Sequence, residues 1–201
     1  MTETRCISHR GRGFFSGLLI LSILCACAAL PANTEESLPV PVKDGYTIHY
    51  EEVVEVDDTL KQNDLFNRTK LWVAQNYKKT AFFNPIQLEE RDNGLIIVNI
   101  FYKYSTRAFI HQYNYTVYSV GKIQVKDGKY KYTFSDFTYV CSGSNKHYEV
   151  KEPVSCANFI YQHNLRNPSS GVFTKALYGL DGGMKSVIAS LHKSLTEPDD
   201  F

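Results

Sequence analysis

The feature that most constrains the fold is a long stretch from Ile86 to Val140 in which apolar and polar residues alternate. Two turn signals interrupt this alternation. Alternation with a period of two residues is typical of β-strands that bury one face. Asn93-Gly94 is expected to supply the two positive φ angles of a two-residue hairpin turn, and Lys126-Asp127-Gly128-Lys129 forms the second turn. The pattern predicts an antiparallel meander of four strands. These strands are Ile86 to Leu88, Leu95 to Tyr104, Gln112 to Val125 and Tyr130 to Val140.

Segments on either side of the meander complete the expected fold. Tyr46, Ile48 and Tyr50 alternate with polar residues, and valines up to Val56 continue the run, so residues 46–56 predict a first strand. A helical period follows, with Asn63 as its N-cap and Trp72 on its buried face. A second amphipathic helix is predicted for residues 182–196, after a turn at Gly182-Gly183. The order is therefore β-α-β-β-β-β-α, an α+β fold in which residues 45–140 form the domain, residues 141–181 an irregular insertion, and the last helix packs on the domain.

The N-terminus predicts export. A basic start is followed by the mostly apolar run Phe14 to Cys27, which is too short for a transmembrane helix of roughly 20 residues. Leu24-Cys25-Ala26-Cys27 is similar to a bacterial lipobox, so residues 1–26 are interpreted as a signal peptide and Cys27 as the lipidation site. Residues 27–44, which contain three prolines, read as a tether. The alternatives are cleavage after Ala28 or Ala32, which yields a soluble periplasmic or secreted protein, and a buried helix of a cytoplasmic protein.

Charge argues against one class of partner. The signal removes three arginines and one glutamate, so the 22 basic and 21 acidic residues fall to 19 and 20. A slightly acidic exported chain has no electrostatic reason to bind phosphate backbones, so no nucleic-acid partner is expected. The remaining charge is segregated, because acids dominate residues 35–64 and bases dominate residues 102–131. Cross-strand ion pairs are one interpretation, and a docking surface for a charged partner is the other.

Lysine and tyrosine alternate in two of the predicted strands. The runs are Tyr102-Lys103-Tyr104 and Lys129-Tyr130-Lys131-Tyr132. If the rings lie on an open face, they form a stacking platform for a base or a glycan. The other interpretation is a strand with two faces, on which one residue type packs inward and the other is solvated.

Cys141 and Cys156 are the two cysteines of the expected folded part, and an oxidising compartment favours a disulfide between them. A zinc site with His147 and His163 is the alternative, but the spacing lacks the short chelate loop of familiar zinc sites. We therefore predict the disulfide, no metal and no cofactor. The sequence contains no Gly-x-Ser-x-Gly motif and no phosphate-binding glycine loop, so no catalytic residue is assigned.

Two segments carry a resemblance to a known family. EEVVEVDDTLKQNDLFNRTKLWVAQNY and VYSVGKIQVKDGKYKYTFSDF resemble the DUF4468 family, exported proteins of Bacteroidota-type bacteria described as having a TBP-like fold. The resemblance covers about residues 46 to 138. It implies a curved antiparallel sheet with helices packed on one face, a signal peptide and no assigned activity. The chain departs from the family pattern at the start of the first helix, from Lys61 to Phe66.

These observations predict a non-catalytic module of the cell envelope, held at the membrane by its N-terminal lipid. Its expected ligand is an envelope protein, a peptide or a saccharide. The alternatives are an envelope hydrolase with a site in residues 141–181 and a structural subunit of an envelope assembly.

Overall fold

A computed structural model of the protein describes residues 38–108, 110–143, 149–165 and 171–197. The signal peptide, Cys27 and His147 lie outside the described residues. The strands are β1 (Val42–Lys43), β2 (Thr47–Ile48), β3 (Tyr50–Glu55), β4 (Ile86–Glu90), β5 (Leu95–Ala108), β6 (His111–Lys126), β7 (Lys129–Gly143) and β8 (Val150–Ser155). The helices are α1 (Gln62–Asn76), α2 (Ala157–Leu165) and α3 (Val172–Thr196). In the described part of the chain, none of these helices is long and apolar enough to cross a bilayer.

The main sheet is the predicted meander with the first strand added at its edge. Its order is β3-β7-β6-β5-β4, all antiparallel, and β8 also pairs with β7. β3 pairs with the first half of β7, from Tyr50 opposite Phe134 to Glu55 opposite Lys129. β8 pairs with the second half, and Asp136 adopts a φ of 54° between the two pairings. The α+β class and the curved antiparallel sheet with helices on one face are confirmed.

The core lies between one face of this sheet and the helices. Alternate residues of the long strands are buried there, among them Ile100, Val117 and Phe134. Trp72 of α1 is 1% exposed, and its Nε1 donates a hydrogen bond to Ser190 Oγ of α3 at 3.1 Å. The predicted role of Trp72 in core packing is therefore correct.

Tyrosine side chains of β5 fix α3 against the sheet. The hydroxyl of Tyr102 donates to the carbonyl oxygen of Leu180 at 2.9 Å, and that of Tyr104 donates to Ala176 at 2.8 Å. The helix can approach this closely because a Cβ atom at Gly183 would lie only 2.3 Å from the Tyr102 ring. The predicted turn at Gly182-Gly183 is wrong, since both glycines lie inside α3, and it is the missing side chain of Gly183 that allows this packing.

A buried carboxylate joins the opposite edge of the sheet to the same helix. The hydroxyl of Tyr50 donates to Asp181 Oδ1 at 3.0 Å, and Lys185 Nζ lies 2.7 Å from Asp181 Oδ2. Burial and the adjacent Asp181 carboxylate raise the pKa of Tyr50. The phenol is therefore held protonated as a hydrogen-bond donor.

The start of α1 differs from the prediction. The N-cap position is Lys61, not Asn63, and the Lys61 N–H donates to Asp64 Oδ2 at 3.2 Å. The next free N–H, of Gln62, donates to Asp127 Oδ1 at 2.8 Å. The helix is thus capped partly by the β6–β7 turn, a tertiary partner that the local sequence does not reveal.

Two other local expectations are corrected. The β4–β5 connection has four residues instead of two, because Glu90 pairs with Leu95, and only Gly94 has a positive φ, of 60°. The stretch expected to be irregular contains the end of β7, all of β8 and α2, and the beginning of α3. Three glycines between residues 179 and 183 lower the helical propensity there, but packing against the tyrosines of β5 offsets that loss.

Candidate functional site

The face of the sheet opposite the described helices, called the open face below, collects the basic residues of β5, β6 and β7. Each alternates with neighbours that point into the core: Lys103 lies between the two tyrosines bonded to α3, and Lys131 lies between two buried tyrosines. The interpretation with tyrosines inward and lysines outward is therefore correct. The basic residues of the open face are Lys103, Arg107, Lys122, Lys126, Lys129 and Lys131.

One edge of the open face contains the predicted cross-strand ion pair. Lys131 Nζ lies 2.7 Å from Glu51 Oε1, and Thr133 Oγ1 donates to Glu51 Oε2 at 3.3 Å. The hydrogen bond from Lys131 is the largest cause that lowers the pKa of Glu51 to about 2. The neighbouring Glu52 faces the other way and accepts a hydrogen bond from the Tyr132 hydroxyl at 2.6 Å, as expected for adjacent residues of a strand.

Three lysines converge beside this pair, and we call Lys126, Lys129 and Lys131 the lysine cluster. Lys126 and Lys129 are direct cross-strand partners at the β6–β7 turn. Like charges in that arrangement destabilise a sheet. Among the described residues, Lys131 is the member of the cluster with a carboxylate within 4.0 Å, although Glu55 is the register partner of Lys129. The cluster therefore keeps unneutralised positive charge.

A depression of about 230 Å³ lies at the cluster. Its lining is basic, amide and apolar, and it contains no acidic residue. The lining residues are Val53, Gln124, Lys126, Lys129, Tyr130 and Lys131. The two ammonium groups that are not paired with Glu51, those of Lys126 and Lys129, and one amide around such a cavity suit a carboxylate, a phosphate or a sulfate.

An aromatic pair extends the open face towards β4. Phe101 and Tyr118 are cross-strand partners with ring centroids 6.3 Å apart, and Phe83 packs perpendicular to Phe101 at 5.1 Å. Half-buried rings on the open face offer apolar contact to a ring-shaped ligand. The open face thus combines an anion-binding depression at one end with an aromatic surface near its middle.

A larger groove, of about 700 Å³, lies between α1 and β4. Val73 and Tyr77 supply apolar lining from the helix, and Lys78 and Lys79 stand at its rim. Lys70 Nζ and Glu89 Oε2, 2.8 Å apart, bridge the same two elements. In this groove the described titratable groups are thus largely paired or exposed, and their arrangement does not suggest catalysis.

The predicted disulfide is not formed, since Cys141 and Cys156 are both free and buried. The register explains this result. The Cys156 N–H donates to the carbonyl oxygen of Phe137 at 2.8 Å, and Cys141 lies four residues farther along β7, about 13 Å at 3.3 Å per residue. A disulfide requires Cα atoms within about 7 Å. Burial raises the pKa of both thiols, which disfavours the reactive thiolate.

The other residues weighed from the sequence are not brought together into a site. His163 is 5% exposed, and its Nδ1 lies 2.9 Å from Thr174 Oγ1. The described residues contain no group of three or more side chains suited to hold a metal ion. The lysine cluster was not singled out from the sequence, although the Lys-Tyr alternation was its signal, because convergence depends on the register between β6 and β7.

Comparisons with known proteins agree with the fold. The model of a domain of unknown function, DUF4468, with TBP-like fold, matches residues 50–140. A solved DUF4468 family protein from Bacteroides ovatus ATCC 8483 is 11% identical with a TM-score of 0.60, and the alignment covers 81% of this chain and 94% of that one. A TBP-like protein from Parabacteroides distasonis ATCC 8503 is 16% identical with a TM-score of 0.60, over 78% and 97% of the two chains. No curated protein matches. At these identities the two structures show a shared fold.

Proposed function

The chain belongs to the DUF4468 family through residues 50–140, and from this premise we propose that it is a non-catalytic binding module of the bacterial cell envelope. The open face of its sheet is the binding surface. The observation that carries the proposal is the lysine cluster, in which a like-charged cross-strand pair lines a cavity without acidic residues. A site that is electrostatically unfavourable when empty becomes favourable when an anion occupies it.

The ligand that fits this surface is an acidic saccharide. Directly opposite residues in a sheet have Cβ atoms about 5 Å apart, and residues two apart along a strand are separated by roughly 6.6 Å. The ammonium groups of Lys126 and Lys129, which have no carboxylate partner among the described residues, can therefore bind one carboxylate or phosphate group, while Lys131 remains paired with Glu51. Val53 supplies apolar contact for a sugar ring beside it. The Phe101–Tyr118 pair offers a second apolar contact about 20 Å away, because Tyr118 lies six residues from Gln124 along β6. The module holds such a polymer and performs no reaction on it.

The binding proposal is tested by titrating the protein with oligomers of polygalacturonic acid, a carboxylate-bearing saccharide, and with neutral dextran. Calorimetry should show salt-sensitive binding of the first and none of the second. The double variant Lys126→Gln/Lys129→Gln should bind up to about thirtyfold more weakly, since each exposed ion pair contributes up to about 1 kcal/mol. The matched control is Lys78→Gln/Lys79→Gln, which removes two exposed charges outside the open face and should bind normally.

Two results would contradict this assignment. Equal losses in the two double variants would show a response to net charge instead of a site. Absence of binding to polygalacturonate at low salt would remove the acidic-saccharide proposal. The unliganded cluster variant should also be slightly more stable than the wild type, because it relieves the repulsion between Lys126 and Lys129.

We place the module at a membrane through Cys27. The support is the sequence Leu24-Cys25-Ala26-Cys27 after a basic and apolar leader. Mass spectrometry of the protein purified from cell membranes should find Cys27 as the N-terminal residue, with diacylglycerol on its sulfur. An unmodified N-terminus at Ala29 or Asn33 would show ordinary cleavage instead.

A further inference from the structure

The loop between α1 and β4 presents a phenylalanine to solvent. Phe82 is 101% exposed, the largest exposure among the large apolar side chains of the described residues. A single exposed apolar residue is common and has no meaning alone. The surroundings of Phe82 supply two further observations.

The first observation is that the loop is held in place. The Thr80 N–H donates to the carbonyl oxygen of Phe83 at 2.9 Å, and the Phe82 N–H donates to Thr80 Oγ1 at 3.3 Å. Phe83 packs on Phe101 of the sheet, and Asn84 Nδ2 donates to the carbonyl oxygen of Ile86 at 2.6 Å. Phe82 is therefore presented by a fixed turn, with its neighbour Phe83 as the support.

The second observation is the local charge. Lys78 and Lys79 are exposed at the base of the loop. The sequence from Leu71 to Leu88 contains no acidic residue, and the next one, Glu89, is paired with Lys70. The loop thus has an apolar tip, Phe82, with two ammonium groups at its base that are unpaired within the described residues. This arrangement matches a membrane surface, in which anionic headgroups lie outside and hydrocarbon lies beneath.

We propose that this loop is a membrane contact, in which Phe82 enters the interfacial layer of an anionic bilayer while Lys78 and Lys79 lie among the headgroups. The proposal rests on the proposed function in one respect, that the chain is held at a membrane. Each lysine near an anionic surface contributes about a fivefold factor to the partition constant. Such a loop binds weakly alone and becomes effective when a tether holds it near the bilayer.

The length of the tether supports this occupant. Ten residues lie between Cys27 and Leu38, the first described residue, so the two are at most about 38 Å apart. A domain of this size has a radius of gyration of about 15 Å. The folded domain therefore stays within about its own diameter of the bilayer that holds Cys27. The loop selects which side of the domain faces the lipid, namely the β4 edge of the sheet.

The test uses the protein purified from membranes and reconstituted into vesicles that contain brominated lipids. Phe82→Trp supplies a fluorescent reporter, and buried Trp72 gives a constant background. We expect the bromine atoms to quench this reporter in vesicles with phosphatidylglycerol, and less in vesicles of phosphatidylcholine alone. Tyr178→Trp, at an exposed position of α3, is the control reporter and should not be quenched.

The charges are tested in the same reporter chain. Lys78→Gln/Lys79→Gln should lower the partition constant of the loop about thirtyfold, whereas Lys151→Gln/Lys193→Gln, which removes two exposed charges of β8 and α3, should leave it unchanged. The proposal is overturned if Phe82→Trp is quenched no more than Tyr178→Trp, or if the quenching ignores Lys78 and Lys79. Quenching that is equal in neutral and anionic vesicles also overturns it.

The outcome is separable from that of the proposed function. Polygalacturonate binding depends on the lysine cluster and needs no vesicle, so either result can fail alone. If Cys27 carries no lipid, the chain is attached to the vesicles through an N-terminal histidine tag and a nickel-chelating lipid, and the same comparison is made. Circular dichroism of each variant confirms that the fold is retained.

Discussion

Replacing either of two adjacent glycines in α3 by alanine should have opposite effects on stability. A Cβ atom at Gly182 meets nothing within 4 Å, whereas a Cβ atom at Gly183 lies 2.3 and 2.5 Å from two carbons of the Tyr102 ring. Both substitutions gain about 1 kcal/mol of helix propensity. Only Gly183→Ala also overfills a packed interface.

The size of the penalty follows from the contacts of Tyr102. Overpacking costs typically 1–3 kcal/mol, and for so short a contact we expect a cost at the upper end of this range, about 3 kcal/mol. The ring cannot move away without losing the hydrogen bond from its hydroxyl to Leu180, which contributes about 1 kcal/mol. The net expectation is destabilisation by about 3 kcal/mol for Gly183→Ala and stabilisation by about 1 kcal/mol for Gly182→Ala. The melting temperatures should shift by roughly 2–4 °C per kcal/mol.

Urea unfolding followed by far-ultraviolet circular dichroism measures both free energies of unfolding, and unchanged slopes would show that the two-state comparison is valid. Combining Gly183→Ala with Tyr102→Ala should abolish the penalty, because the ring that causes it is absent. Equal effects of the two glycine substitutions would refute the close approach of α3 to β5. So would a penalty for Gly183→Ala that persists without the ring.

Three other perturbations test separate contacts. Lys131→Gln should lower the free energy of unfolding at neutral pH. Since the pKa of Glu51 is lowered from 4.5 to about 2, this loss of stability should shrink as the pH falls from 4.5 towards 2. A loss of stability that is independent of pH would contradict the ion pair. Tyr50→Phe removes a donor to a buried carboxylate and should cost about 2 kcal/mol in urea unfolding; a cost near zero would mean that this carboxylate needs no such donor. Cys141 and Cys156 should react with iodoacetamide only after unfolding, and a reductant should not change the melting temperature; a cystine peptide joining them in the mass spectrum would contradict the register of β7 and β8.

The long strands were predictable because each carries its own signal. Alternation and the Asp127-Gly128 turn specify β6 and β7 locally, and the charges of β3 matched those of its partner strand. The first half of α3 was not predictable, because glycines that usually break a helix are used here for contact with tyrosines of β5. The disulfide prediction failed because the number of residues between Cys141 and Cys156 does not reveal the register of β7 and β8, which holds the two cysteines too far apart.

The candidate sites divide in the same way. The placement of lysines such as Lys131 on the face opposite the tyrosines followed from their alternation, whereas the structure shows that the lysines are the outward-facing set. Their convergence into a cluster required the pairing of β6 with β7, which a one-residue shift would abolish. The exposure of Phe82 left no signal, because Phe82 and Phe83 are adjacent and identical in type, and only contact with Phe101 distinguishes their roles.

The pairing of β3 with β7 has a consequence during synthesis. Glu51 and its partner Thr133 are 82 residues apart. At a synthesis rate of 5–20 residues per second, the residues of β3 are therefore made about 4 to 16 s before those of β7 with which they pair. An unpaired strand with adjacent valines is a site for aggregation during that interval. The glutamates that later bond to Lys131 and Tyr132 oppose aggregation of the unpaired strand, as gatekeeper charges do. The acidic sequence of β3 therefore protects the nascent chain before it stabilises the folded protein.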